Sequence, residues 1–187
     1  MTVRVMFVSP AMNAALRQAR FDDGAAVEPA GLAKAGAAAS ALPGADRYGC
    51  APSLRCRQTA TALGLDTEPV ADLGDLDVGR WRGRSLEELA ACDADAVAAW
   101  LSDPGAAPHG GESLSALVER VGGWLDRASD GSGRILAVAE PAAVRAAMVH
   151  ALGLPLTVFW RLDVAPLTLT VLTGRTGRWN LQCGQPL

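Results

Sequence analysis

The chain has little of what nucleic-acid and membrane proteins need. Lys34 is its only lysine, and 17 basic against 20 acidic side chains leave a net charge of −3, so there is no basic field to hold a phosphate backbone. No apolar run reaches the roughly 20 residues that cross a bilayer, and no basic N-terminal region precedes a long apolar core. A cytoplasmic protein is expected. The four cysteines, Cys50, Cys56, Cys92 and Cys183, show neither CxxC spacing nor clustering with histidine, which excludes a zinc site and reads as buried thiols in a reducing compartment. Only two histidines are present, His109 and His150. Internal repeats, low-complexity linkers and any motif for a metal or cofactor are also missing. At 187 residues the length fits one domain over residues 1–187. The partner left by these exclusions is a small molecule, with monomer and homodimer both open.

What is there reads as alternating strands and helices. Val3 to Val8 and "RILAVA" are continuous apolar runs of buried-strand length, and Arg47 to Ala51 is a third strand. Alanine-rich Pro29 to Leu42 reads as a helix, and so does "SLRCRQTATALGL" after Pro52, whose missing N–H costs nothing at a first helical position. Ser85 and Glu88 form a capping box ahead of "SLEELAACDADAVAAWL", read as one helix. Residues 105–111 form a loop, Glu112 or Ser113 opens a helix to about Ala128, and Pro141 opens another. "TVFWRLDV", "LTLTVLTG" and "RWNLQCG" read as strands, the last two as a hairpin through Arg175-Thr176-Gly177. The pattern predicts a three-layer α/β/α sandwich on a mostly parallel sheet. In such sheets the strand ends converge on one crevice, which gathers Ser9-Pro10, Glu140-Pro141 and Arg55.

With those residues in hand, the chain resembles the histidine phosphatase superfamily, the phosphoglycerate mutase-like proteins, and within it the α-ribazole phosphatase-like branch. "APSLRCRQTA" is similar to the family's SPLxRxxQTA, which makes Arg55 the phosphate-binding arginine. "LGDLDVGRWRGRSLEEL" resembles the segment carrying the general acid, at Asp75, and "PHGGESLSALVERV" resembles the GGES helix start. "ILAVAEPAAVRAAMVHALGLP" stands where the family reads VTHPxxVR, with Glu140 at the histidine. The first motif, a strand followed by RHGET, is replaced by Ser9-Pro10-Ala11-Met12-Asn13. The resemblance therefore puts Pro10 and Glu140 at both catalytic histidine positions, and proline has no atom to take up a phosphoryl group.

Several site residues follow, each with alternatives. Glu140 is either the counter-ion of Arg55, since buried charges are paired, or a general base or cation ligand. With Asp75 and Glu112 it would make a group of three carboxylates, whose sequence spacing carries no metal signature. Asp75 and Glu140 are the catalytic candidates. Arg55, Ser9, Asn13, Glu112 and His109 are the ligand-binding candidates: Ser9 as the one nucleophilic atom of the altered turn, which would need Glu140 as its base, Asn13 as donor or cap, and His109 as a solvated loop histidine bordering the site or a replacement catalyst. His150, on the core side of its helix, is structural, and the five tryptophans read as core or pocket rim.

The expected protein thus has a histidine-phosphatase fold, no phosphomonoesterase activity, and a binding or regulatory role toward a small, anionic or polar metabolite. Two alternatives stay open. One is an enzyme of another class using Glu140 or Asp75 as acid/base; the other is a phosphatase with non-standard residues, in a cobalamin-related pathway.

Overall fold

A computed structural model describes residues 2–187. In chain order it contains β1 (Val3–Val8), α1 (Ala14–Arg17), α2 (Pro29–Ala38), β2 (Arg47–Cys50), α3 (Leu54–Ala62), β3 (Glu68–Pro69), α4 (Leu86–Cys92) and α5 (Ala94–Ser102). There follow α6 (Leu114–Ser129), β4 (Gly133–Val138), α7 (Pro141–Leu152), β5 (Thr168–Arg175) and β6 (Arg178–Pro186). The strands form one six-stranded sheet in the order β3-β2-β4-β1-β5-β6. The pairs β2/β3, β2/β4 and β1/β4 are parallel, and β5 runs antiparallel to β1 and β6. This is the mixed α/β architecture that the strand–helix alternation implies. Val5 through Val8 and Ile135 through Val138 are buried at every position, as required of central strands with both faces covered.

Register sets the position of the site. Val8 pairs with Val138, and Val138 with Cys50, so β1, β2 and β4 end at one level. The ladder continues one step further, with Ala139 N–H donating to Val8 O at 3.0 Å and Ala51 N–H to Val138 O at 2.8 Å. The segments leaving these ends, residues 9–13, 51–53 and 139–141, therefore emerge side by side.

Local chemistry accounts for most boundaries. Ser85 and Glu88 make the reciprocal capping box of α4, and Pro141 occupies the first turn of α7, where it forfeits no hydrogen bond. Gly153, at φ 60°, ends α7 in the left-handed conformation that costs glycine least. The hairpin of β5 and β6 turns through Thr176 and Gly177, the latter at φ 77°. Among the described residues no helix is long and apolar enough to cross a membrane.

Several details depart from the sequence reading. Cys50 and Cys56 are buried, but Cys92, at the end of α4, and Cys183, on the edge strand β6, are exposed. Ser53, not Pro52, begins α3: its hydroxyl accepts from Cys56 N–H and Pro52 precedes the cap. The stretch from Ser85 to Leu101 is two helices, because Asp93 turns out of helical geometry (φ −156°, ψ 68°) and caps α5 through Ala96 N–H, the competition Asp offers inside any helix. "TVFWRLDV" is a 3₁₀ turn over Leu156–Arg161; its aromatic content suggests a strand, but Phe159 and Trp160 pack against the aromatic cluster of Trp100. His150 is not core: its side chain is 32% exposed and pairs with Asp126 at 3.2 Å, lying so close to Gly122 that a Cβ there would sit 2.3 Å from the ring.

Candidate functional site

At the aligned strand ends, α3 and α7 begin beside one another, and their first turns bring Arg55 and Glu140 into contact. Glu140 is completely buried and Arg55 is 3% exposed. The guanidinium addresses both carboxylate oxygens, Nε to Oε1 at 3.2 Å and Nη2 to Oε2. Ser53 Oγ donates to Oε1 at 2.5 Å and the Cys56 thiol lies 3.4 Å from the same oxygen. Glu140 thus has four donors around it, which is what a buried charge requires.

Asp75 stands on the outer side of the same arginine, Oδ2 lying 3.8 Å from Arg55 Nη2. Its side chain is 37% exposed, yet burial at the cleft mouth and then the Glu140 charge push its carboxyl up to about 7, against the pull of Arg55. The segment carrying it is clamped from behind. Arg120 donates to the carbonyls of Asp72 at 2.7 Å and Asp75 at 3.2 Å, and is itself held by both oxygens of Glu112 at 2.7 and 2.8 Å.

A cleft of about 580 Å³ opens above Arg55 and Asp75. Its lining is apolar at Phe21, Leu86, Trp100, Phe159 and Trp160, and Arg145 of α7 joins it. Arg145 Nε donates to Pro141 O at 3.3 Å, and its guanidinium lies over the Phe159 ring, 4.6 Å from the centroid. Burial lowers its pKa, with Asp75 and then Asp163 opposing.

The sequence candidates therefore divide. Arg55, Asp75 and Glu140 come together. Glu112 does not join the other carboxylates; it reaches the cleft only through Arg120, because a bidentate arginine is the better partner for it. Ser9 is 1% exposed, and its hydroxyl donates to Ala165 O at 2.5 Å and accepts from Thr168 N–H at 3.0 Å, so it fastens β1 to the approach of β5. Asn13, also buried, accepts from Leu16 N–H as the cap of α1 and donates to Asp22 at 2.6 Å. His109 is buried, not solvated: it packs 5.1 Å from the Trp81 ring, Nδ1 accepts from Gly111 N–H at 3.0 Å, and Nε2 has no partner. Burial chiefly lowers its pKa. None of Ser9, Asn13, Glu112 and His109 lines the cleft. Among the described residues no group of three His, Cys, Asp or Glu side chains is close enough to hold a metal.

Three residues escape a reading of the sequence. Ser53 carries a visible signal, a hydroxyl at a helix start. Arg145 carries another, as the arginine of the stretch that stands where the family reads VTHPxxVR. Arg120 carries none, since its carbonyl partners lie 45 to 48 residues away.

The comparisons agree with this architecture. Residues 13–184 match the histidine phosphatase superfamily (branch 1), and the chain belongs to that family. A bifunctional protein of Mycobacterium tuberculosis is 33% identical over 114 residues, 59% of this chain and 31% of that protein, so the chain spans about a third of the curated relatives it matches. The mycobacterial glucosyl-3-phosphoglycerate phosphatase superposes with a TM-score of 0.85 at 21% identity, over 100% of each chain. The α-ribazole phosphatase of Shigella flexneri does so at 0.82 and 20%, over 96% of this chain and 95% of that one. Those two structures share the fold.

Proposed function

We propose that the chain is a histidine-phosphatase-fold protein that does not hydrolyse phosphomonoesters and instead binds a small anionic or polar metabolite, as a binding or regulatory module. The observation that carries this reading is the Arg55–Glu140 pair. The arginine that the motif assigns to phosphate is already bound on two nitrogens by a carboxylate of the protein, at the position where the motif has a histidine. Pro10, at the other histidine position, offers no nucleophile. At about 5 Å and an effective dielectric near 20, each unit charge pair is worth roughly 3 kcal/mol, so Glu140 repels a phosphate dianion by roughly 6. Arg55 returns about the same amount, so the pair itself gives no net attraction.

The test is hydrolysis of p-nitrophenyl phosphate by the purified protein, with no turnover expected. Steady turnover at an ordinary enzymatic rate, about 1 per second or more, that vanishes in Arg55→Ala would refute the reading. A second reading rests on Asp75, a carboxyl near neutral pKa in a cleft and so suited to acid/base work. It makes the protein an enzyme of another class, and the α-ribazole resemblance suggests a cobalamin-related setting. A turnover that follows an apparent pKa near 7 and is lost in Asp75→Asn would favour it.

A further inference from the structure

The cleft holds a second arginine whose situation is unlike that of Arg55. No carboxylate comes within ion-pairing distance of Arg145 among the described residues, and its Nε bond to Pro141 O is its one hydrogen bond there. One face is covered by Phe159, so the outward edge, carrying the two Nη nitrogens, is what remains for a partner. A guanidinium drawn out of water without an anion is unfavourable, and its planar fork matches a carboxylate through two parallel bonds.

The other charges restrict what that anion is. Arg55 is taken by Glu140, and Arg20, also at the cleft, is held by Glu88 at 2.5 and 3.0 Å. Arg82 is exposed at the rim. Asp75 shares the cleft and adds negative charge as it ionises, and Asp22, which accepts from Asn13, and Asp77 stand on the same lining. One inner cation beside a titrating carboxyl suits a single negative charge and disfavours two.

The aromatic lining that begins at the Phe159 ring beside Arg145 and continues through Trp160 is built for an apolar body. Trp160 lies 4.2 Å from Trp100 between ring centroids, and Phe21 lies 5.7 Å from Trp100. Leu86, on the same lining, is 42% exposed. Concave apolar walls with one convergent charged group are the general form of small-molecule sites, and an exposed leucine beside half-buried aromatics leaves surface for a ligand to cover.

We propose that the cleft takes a monoanionic carboxylate on an aromatic or bulky apolar body, with the carboxylate on Arg145 and the body against Trp160, Phe21 and Leu86. This rests on the binding-module reading above, because it takes Arg55 as already occupied.

Calorimetric titration with three probes of one shape tests it: 2-naphthylacetate, its neutral analogue 2-(2-naphthyl)ethanol, and 2-naphthyl phosphate. The acetate is expected to bind about tenfold or more tighter than the alcohol, the size of one charge-assisted hydrogen bond. In Arg145→Gln that preference disappears while the alcohol keeps its affinity, and the phosphate binds no tighter than the acetate. Absence of acetate binding, equal binding of acetate and alcohol, a preference that survives Arg145→Gln, or tighter binding of the phosphate overturns the proposal. Release of 2-naphthol from 2-naphthyl phosphate overturns the non-phosphatase reading instead, so the two failures are distinct. Should Arg145→Gln not fold, the indole N–H signals of the unaltered protein decide. Those of Trp100 and Trp160 should move on titration with 2-naphthylacetate and that of Trp179, on β6, should not; an unmoved Trp160 signal refutes the site.

Discussion

Arg55 and Arg145 enter one cleft from the early turns of α3 and α7, and they differ in the partner the protein supplies. Arg55 has Glu140 across its fork, with Ser53 and Cys56 completing the carboxylate's shell. Arg145 has an aromatic ring beneath it and a carbonyl at Nε. The chemistry of a pocket is set less by where its cations stand than by which of them the protein itself neutralises. A neutralised arginine is a structural element whose loss costs stability, whereas an unneutralised one costs little to lose and has charge to offer a ligand.

The largest effect should come from breaking the closed pair. Glu140→Ala leaves Arg55 buried without a counter-ion and is expected to lower stability by about 3 kcal/mol, measured by urea denaturation. Arg55→Ala should cost a similar amount, and the double variant less than the sum of the two, because it leaves no orphaned charge. Simple additivity would mean that the two groups do not act as a pair. Added phosphate should raise the melting temperature of Glu140→Ala and leave that of the unaltered protein in place, since only the variant offers Arg55 to an anion.

Ser53→Ala probes the shell around that pair. It removes both the cap of α3 and the hydroxyl donor to Glu140, and the two losses together are expected to cost about 1–2 kcal/mol. Ser53→Thr, which keeps the hydroxyl, should recover most of it. If alanine and threonine behave alike, the hydroxyl contributes nothing to the site.

The contrast between the two arginines also shows what is legible in a sequence. Arg55 and Glu140 can be paired without coordinates, because each sits at the end of a strand in a recognisable βα unit and buried opposite charges must meet. Ser85 and Glu88 are read from spacing alone, as are β1, β4 and the final hairpin. Ser9 and Asn13 are different. Both are polar groups in the turn that invites chemistry, and both are spent on the scaffold, Ser9 on backbone 156 to 159 residues away and Asn13 on the α1 cap and Asp22. His109 looks solvated because it follows Pro108 in a glycine-rich loop, and only the fold brings Trp81 and Trp100 over it. Arg145 is visible as the arginine of the VTHPxxVR-like stretch, but its interest lies in a partner it does not have, and no local pattern records that.

A smaller effect is expected from the open arginine. Arg145→Ala forfeits the contact with Phe159, worth about 0.5–1 kcal/mol for a cation over an aromatic ring, and breaks no ion pair. In the denaturation series that measures Glu140→Ala it should fall well below that variant. A loss as large as that of Glu140→Ala would mean that Arg145 is as structural as Arg55, and the comparison would collapse.

The sharpest effect concerns Asp75, which stands within the influence of both arginines. Its carboxyl is raised from 3.8 to about 7 by burial first and the Glu140 charge second, so between those values the folded protein holds a proton that the unfolded chain has lost. Stability from this group is therefore fully present below about pH 4 and declines as pH rises toward 7. Asp75→Asn cannot ionise. It should match the unaltered protein below about pH 4, gain on it through the interval and stay ahead by a constant margin above, a margin reduced by the partial exposure of the side chain. Urea midpoints across that range measure it, and parallel curves would show that Asp75 is an ordinary surface carboxylate. Linkage then distinguishes the arginines. Asp75 raises the pKa of Arg145, so the positive charge of Arg145 must in turn favour the ionised carboxylate, and Arg145→Gln should move the Asp75 titration to still higher pH. In a carboxyl titration followed by NMR, an Asp75 midpoint unmoved by Arg145→Gln would show that Arg145 is screened from the carboxyl beside it, and the charge argument for a monoanionic ligand would lose its footing.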